Sequence, residues 1–388
     1  MSLNVLVVAT KPPWPPVDGG RFLLKTTLEG LAASGCRTTL VAPVASNLEE
    51  VSRTLSSCCI PRLVPAAPLP PVMALLRNGG APLSIARHSL AAVRREVERL
   101  LGRERFDLVH AEQLQALPQA EPAFARAIPV VLRAQNVESD LWGATARRKG
   151  GLGGFLLRQE AKRLAAWEGR AVQRVAATLA LTREDATRLR ELSGGVGNVK
   201  VVPAPFPDLP AGTHRLEGDP AVVVFGSRGW LPNEESAAWF RDEVWPVVRA
   251  NLPGAVLHTF GAELPAGPGV VLHSAPTDSS EAFAPGSILA VPLRIASGVR
   301  IKILEAWARG VPVVATPAAL AGLDTAAGSE ALAAEDAAEF AAAFARLYGE
   351  PGLRERLVEA GQRARRERHD PARIAKKLLA EYQAVLGS

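Results

Sequence analysis

Between positions 294 and 305 the chain reads RIASGVRIKILE, and these residues suit the binding of an anion. Ser297 is a candidate helix N-cap, Gly298 lets a ligand approach the backbone, and first-turn N–H groups are free donors. Arg294, Arg300 and Lys302 add positive charge at the same end. Glu305 follows Lys302 by three and shares its helical face, where the two could equally form a solvated ion pair. A second turn, Asp18-Gly19-Gly20, stands between the first apolar run and the first helical pattern. It is either another anion-friendly turn or a plain chain reversal.

Other chemistries are disfavoured by absent patterns. The chain has no GxxxxGK[ST], no GxGxxG after an apolar run, no HExxH, no GxSxG and no DxD pair. Nucleotide hydrolysis on a P-loop, dinucleotide binding and zinc-centred catalysis are therefore not expected. GGLGG (150–154) reads as a flexible lead-in to a helix. The 3 cysteines form no CxxC and leave one unpaired in any pairing, so reduced thiols in a cytoplasm are the expectation.

The elements that must position these residues alternate along the whole chain. VLVVAT (5–10), TTLVAP (38–43), FDLVHA (106–111), IPVVLRAQN (128–136), ATLALT (177–182) and KVVPAP (200–205) are continuous apolar strands. Helices are expected over 21–34, 85–101 and 155–175. The pattern restarts with AVVVFGS (221–227), AVLHTFG (255–261), GVVLH (269–273), SILAVPL (287–293) and VPVVATP (311–317), with a helix over 237–250. Fully apolar strands separated by helices mean parallel sheets covered on both faces. The apolar stretch 63–76, interrupted by Pro65, Pro68, Pro70 and Pro71, is expected to be an extended loop.

A chain of 388 residues is long for one core. The expected division is a first domain over 1–202, a proline-rich linker over 203–220, a second domain over 221–370 and a helix over 371–388 that crosses back to the first. Ligands of doubly wound sheets bind beyond the carboxyl ends of the strands, in a cleft between two such domains. The N-terminal apolar run reads as a buried first strand, and no apolar run is long enough to span a membrane. Residues 1–200 carry 27 Lys and Arg against 17 Asp and Glu, whereas the remainder carries 18 against 22. Aromatic residues are 5% of the chain and are not interleaved with the basic ones, so nucleic acid is not an expected partner. A membrane surface or an anionic substrate remains. The segments 87–105 (Leu90, Val93, Val97, Leu100 and Leu101 among arginines) and 146–170 (Phe155, Leu156 and Leu157 after a basic start) are the candidates for peripheral contact.

The spacing SGxxxKxLEAxAxGxPVVAT from Ser297 resembles the nucleotide-sugar motif of retaining GT-B glycosyltransferases of family 4. PPxDGG, LRAQNVESDLW (132–142) and GSRGWLPNEESAAWFRDEVWP (226–246) are similar to a subgroup tied to polysaccharide assembly. The resemblance covers essentially the whole chain. It implies two Rossmann-like parallel-sheet domains facing a cleft. The implied activity is transfer of a sugar, with retained configuration, from a nucleoside diphosphate to an acceptor hydroxyl. No cofactor or metal is implied. The acceptor would be a glycan, a lipid-linked molecule or a small molecule, and the location the cytoplasm or its membrane face.

By position, the resemblance makes Glu305 the ligand of the donor ribose. It puts Lys302 and Arg294 on the diphosphate, and Gly298 against the sugar phosphate. It assigns Arg228 and Ser297 to the donor side, and Gly19, Gly20, Gln135, Asn136 and Glu138 to the acceptor and phosphate side. Three departures stand out. Ser297 replaces the first of the family's two glutamates, Gln135 stands where relatives carry His, and Arg228 alone stands where many carry Arg and Lys. A noncatalytic nucleotide-sugar-binding partner of another transferase, or an epimerase of the same fold, are the alternatives.

Overall fold

A computed structural model describes residues 3–226, 231–262, 264–276, 278–295, 297–325 and 328–387. Contacts divide the chain into two compact units. One comprises Met1–Pro205 with Ser297–Val299 and Asp370–Ser388; the other comprises Phe206–Ala296 and Arg300–His369.

The first unit holds seven strands: β1 (Asn4–Ala9), β2 (Arg37–Val44), β3 (Ile60–Pro65), β4 (Leu108–Glu112), β5 (Val130–Ala134), β6 (Ala177–Ala180) and β7 (Val199–Val201). They lie in the order β3-β2-β1-β4-β5-β6-β7, all parallel. Helices cover both faces, so the central strands are buried throughout and read as unbroken apolar runs. One face packs Leu6, Val8, Val109 and Leu132 on the helix Ala91–Leu101 and its neighbours. The other packs Val5, Val7 and Leu179 on Leu24 and Leu28 of the helix Gly19–Ala33, and on Ile374, Leu378 and Tyr382 of the helix Pro371–Leu386.

The second unit holds β8 (Ala221–Phe225), β9 (Val256–Phe260), β10 (Val270–His273), β11 (Ile288–Val291), β12 (Val313–Ala315) and β13 (Leu332–Ala333), again parallel, in the order β10-β9-β8-β11-β12-β13. Two parallel sheets of seven and six strands, each wound from β1 or β8 outward in both directions, are Rossmann-like domains.

Several sequence expectations need correction. The stretch 63–76 is not a loop: it contains the end of β3 and most of the helix Pro71–Asn78, which begins on Pro71. Proline is tolerated at a first helical position because that N–H has no intrahelical acceptor. The helix expected over 85–101 is two, Leu83–His88 and Ala91–Leu101. The apolar residues of 87–105 face the protein: Val93, Val97 and Leu100 are no more than 1% exposed. A helix not anticipated, Glu138–Lys149, precedes Gly151–Arg174. No helix among the described residues is long and apolar enough to cross a membrane.

Candidate active site

The second unit presents its candidate residues at the carboxyl ends of β8 and β11, where parallel sheets leave room for ligands. The helix Ile301–Arg309 starts there, between β11 and β12. Its N-cap is Arg300, with no side-chain cap, so Ser297 does not play the capping role its sequence position suggested. The reason is Gly298, whose φ of 71° turns the chain before the helix begins.

Lys302 is half-buried on the first turn of that helix. Its Nζ donates to the Phe225 carbonyl (3.4 Å) and to Asn233 Oδ1 (3.3 Å). Among the described residues no carboxylate pairs with it. Burial, and secondarily the charge of Arg300, pushes its ammonium down to about 7. It is a cation that the protein desolvates without neutralising.

Glu305 does not pair with Lys302. Its Oε1 accepts from Ser279 Oγ (2.5 Å) and from Arg309 Nε (3.0 Å). Arg309, 6% exposed at its side chain, is itself anchored on the Pro210 carbonyl at 2.9 Å. The other oxygen, Oε2, accepts no hydrogen bond among the described residues, so the carboxylate is clamped at one oxygen and open at the other. Arg294 is exposed at the end of β11, its guanidinium 5.3 Å from the centre of the Trp239 ring, and makes no bond to Lys302 or Glu305. Arg228 lies outside the described residues.

Ser297 and Gly298 belong to the first unit. Ser297 Oγ donates to Asp185 Oδ1 (2.9 Å) and accepts from the Val137 N–H (2.8 Å). The Gly298 N–H donates to Asp185 Oδ2 (2.9 Å). A Cβ on Gly298 would stand 2.3 Å from the Gln135 carbonyl oxygen, so the residue fits only as glycine. Its openness is therefore used by the protein's own backbone. Asn136, with its amide oriented to donate, reaches the Ser297 and Gln135 carbonyls at 3.0 Å each. Asp185 was not anticipated. Its signal was faint: a Thr-x-x-Asp capping pattern whose acid also accepts from this loop.

The rest of the first unit's candidates gather around the turn after β1. Asp18 caps the helix Gly19–Ala33 by accepting from the Arg21 N–H (3.0 Å), and pairs with Lys11 at 2.8 Å. Although burial opposes ionisation, Lys11 and Arg21 together hold the Asp18 carboxyl below its usual range. Gly20 lies against the side-chain amides of Gln135 and Gln113, where a Cβ would stand 2.9 Å from Gln135 Oε1. Gly19 is the first residue of the helix and touches none of the other candidates by any described bond. Glu138 is half-buried at the start of its helix, and burial raises its carboxyl. The Glu138 and Ser139 N–H groups donate to the carboxylate of Glu168, 2.6 and 3.2 Å away. Burial pushes Glu168 up to about 8.

Sequence reading missed Gln113 and Glu112, which meet Gln135. Gln113 Nε2 donates to Gln135 Oε1 (2.7 Å), and Gln135 Nε2 donates to Glu112 Oε1 (2.8 Å). Their signal was the presence of polar residues inside apolar strands, HAEQ and LRAQ, since a buried polar group demands a partner. No group of three His, Cys, Asp or Glu among the described residues is placed to hold a metal ion.

Comparison with known proteins follows this division. Residues 20–205 match the family model described as a glycosyl transferase 4-like domain, and residues 220–350 match the one described as glycosyl transferases group 1. No curated protein matches the chain. Among solved structures, HepE of Anabaena in complex with UDP-glucose is similar at a TM-score of 0.67 and 14% identity, covering 98% of this chain and 100% of that one. Sucrose-phosphate synthase of Thermosynechococcus elongatus gives a TM-score of 0.69 at 14% identity, covering 100% of both chains. A point mutant of S. aureus TarM, in a complex with fondaparinux, alpha-GlcNAc-glycerol and UDP, gives 0.69 at 9% identity, covering 98% of this chain and 100% of that one. At such identities the likeness establishes the GT-B fold.

Proposed function

Since the chain belongs to the group 1 glycosyl transferases with a 4-like first domain, we propose a specific form of its sugar transfer from a nucleotide sugar. It passes a hexose or related sugar, with retention, from a nucleoside diphosphate to a hydroxyl of a growing polysaccharide or glycoconjugate. The observation that carries this is that one helix of the second unit holds both a desolvated Lys302, with no carboxylate partner among the described residues, and a half-open Glu305. A diphosphate supplies the anion that Lys302 lacks, and two ribose hydroxyls supply donors for Glu305 Oε2. HepE, similar in fold, binds UDP-glucose and UDP.

Charge that grows on the departing diphosphate is stabilised by the Lys302 ammonium, by the N-terminal end of the helix Ile301–Arg309 and by Arg294. These fixed charges take the place of a metal ion, and the leaving phosphate accepts the proton of the attacking hydroxyl. On the first unit, Gln135, Asn136 and the Gly20 turn are assigned to the acceptor and phosphate side, with Gln135 toward a sugar.

Exposure favours an acceptor held at a membrane. Leu152, Phe155 and Leu156 are 76%, 48% and 59% exposed, directly after the exposed Arg147, Arg148 and Lys149. Such an apolar row with a basic edge suits reversible contact with an anionic leaflet. Sedimentation with anionic vesicles at low salt tests this, and loss at high salt is expected.

A thermal-shift panel of UDP-, GDP-, ADP-, dTDP- and CMP-sugars identifies the donor, because ligand binding to the folded state alone raises the melting temperature. Release of nucleoside diphosphate from the best of them then tests catalysis. Binding without any turnover, with or without acceptor extracts, would return the protein to a noncatalytic sugar-nucleotide binder.

A further inference from the structure

A line of side chains crosses the first unit from the turn after β1 to the C-terminal helix. Thr10 Oγ1 donates to Gln113 Oε1 (2.9 Å), Gln113 Nε2 to Gln135 Oε1 (2.7 Å), and Gln135 Nε2 to Glu112 Oε1 (2.8 Å). From the other side, His110 Nε2 is 2.9 Å from Glu112 Oε2, and Tyr382 Oη is 2.5 Å from His110 Nδ1. His110, Glu112 and Tyr382 are at most 2% exposed.

The direction of every bond follows from one group. An ionised carboxylate only accepts, and Glu112 is held below the usual carboxylate range: burial opposes ionisation, but His110, Arg133 and Gln135 outweigh it. Gln135 must therefore turn its amide nitrogen to Glu112, and His110 must turn an N–H to it. Tyr382 then donates to His110 Nδ1, which gives its buried hydroxyl hydrogen a partner. Both Glu112 oxygens are occupied, so this carboxylate orients its neighbours and is not a base for the acceptor.

We infer that Tyr382, His110 and Glu112 are positioning residues that fix the Gln135 amide, so that Gln135 offers a bound sugar its second Nε2–H. Its Oε1 is taken by Gln113 and walled by Gly20, where a Cβ would stand only 2.9 Å away. The ligand group recognised is an oxygen lone pair, of a hydroxyl or a phosphate. The C-terminal helix thus completes the first unit's site without touching substrate. This rests on the reading that Gln135 faces the sugar.

The test is a double-mutant cycle on Tyr382→Phe and Gln135→Ala. It is read as kcat/KM for nucleoside diphosphate release from the sugar nucleotide with the largest thermal shift. Tyr382→Phe alone is expected to lower kcat/KM about five- to twentyfold, leaving nucleoside diphosphate affinity unchanged. In the Gln135→Ala background the same substitution has no further effect. Effects that multiply in the double variant would show that Tyr382 acts independently of Gln135 and overturn the inference. If Gln135→Ala itself leaves turnover intact, the placement of Gln135 at the sugar is wrong while the transferase reading stands. Thr10→Val, which breaks the line at its outer end, repeats the cycle should Tyr382→Phe fail to fold. The side-chain amide resonance of Gln135, identified by its loss in Gln135→Ala, provides a readout without turnover. Tyr382→Phe must shift it, and an unmoved resonance would sink the proposal.

Discussion

The two units solve the same problem, polar groups at the carboxyl ends of parallel strands, in opposite ways. In the first, Thr10, Gln113, Gln135, Glu112, His110 and Tyr382 satisfy one another before any ligand arrives. In the second, Lys302 is desolvated and, among the described residues, bonds only neutral oxygens, and Glu305 keeps one oxygen open. A satisfied network fixes geometry, because its donors have no other choice. An unsatisfied charge stores affinity, because a ligand of the opposite sign relieves it. Under the proposed function, the first unit would thus supply orientation and the second binding energy.

The sharpest way to break this contrast is Lys302→Ala. Loss of a charge-assisted contact should weaken nucleotide-sugar binding by about 1.5–3 kcal/mol, roughly ten- to 150-fold, as calorimetry would measure. Because the folded protein bears the cost of desolvating that ammonium, its melting temperature should not fall. A variant that melts lower while binding the donor unchanged would make Lys302 structural.

Gly298→Ala tests the opposite property. A Cβ 2.3 Å from the Gln135 carbonyl oxygen and a φ of 71° are both against it. The expected loss is about 2 kcal/mol of stability, measured by urea denaturation.

The Lys302 ammonium, pushed down to about 7, gives the contrast a pH signature. Above that value part of the free protein must take up a proton before pairing with a diphosphate. Affinity for the nucleoside diphosphate should then fall between roughly pH 7.5 and 9, by at most about tenfold per unit. Lys302→Arg, always charged, should flatten the profile. The linkage to folding has the opposite slope: the unfolded chain binds more protons above about 7, so this group's contribution to stability rises with pH until the unfolded lysine titrates.

Glu305→Gln keeps the shape but weakens acceptance from ribose hydroxyls, and a severalfold loss of donor affinity is expected, near 1 kcal/mol. The smallest effect is that of EDTA, which should leave turnover unchanged; activity abolished by EDTA and restored by Mn²⁺ would replace the cationic role given to Lys302 and Arg294.

Much of the architecture was legible because burial on both faces forces parallel strands to be apolar, and helices must separate them. β1, β2, β8 and β12 stand out for that reason. β3 did not, since IPRLVP carries two prolines and lies at a sheet edge, where a missing N–H is tolerated. In the site, Lys302 and Glu305 were visible through their spacing, but their separation was not. Glu305 chose Arg309 at i+4 and Ser279 from a distant turn.

By itself, then, the sequence determined two parallel-sheet units and the helix that carries Lys302 and Glu305, because apolar patterning and helical spacing are local properties. Tertiary structure alone decided which polar groups are spent and which are left open. Parallel register sets Ala9 beside Glu112 and Glu112 beside Arg133, which carries Thr10, Gln113 and Gln135 into one row. Tyr382 reaches His110 across 272 positions of chain. Hydrogen-bond partners are chosen by position in space, and no periodicity along the chain encodes them.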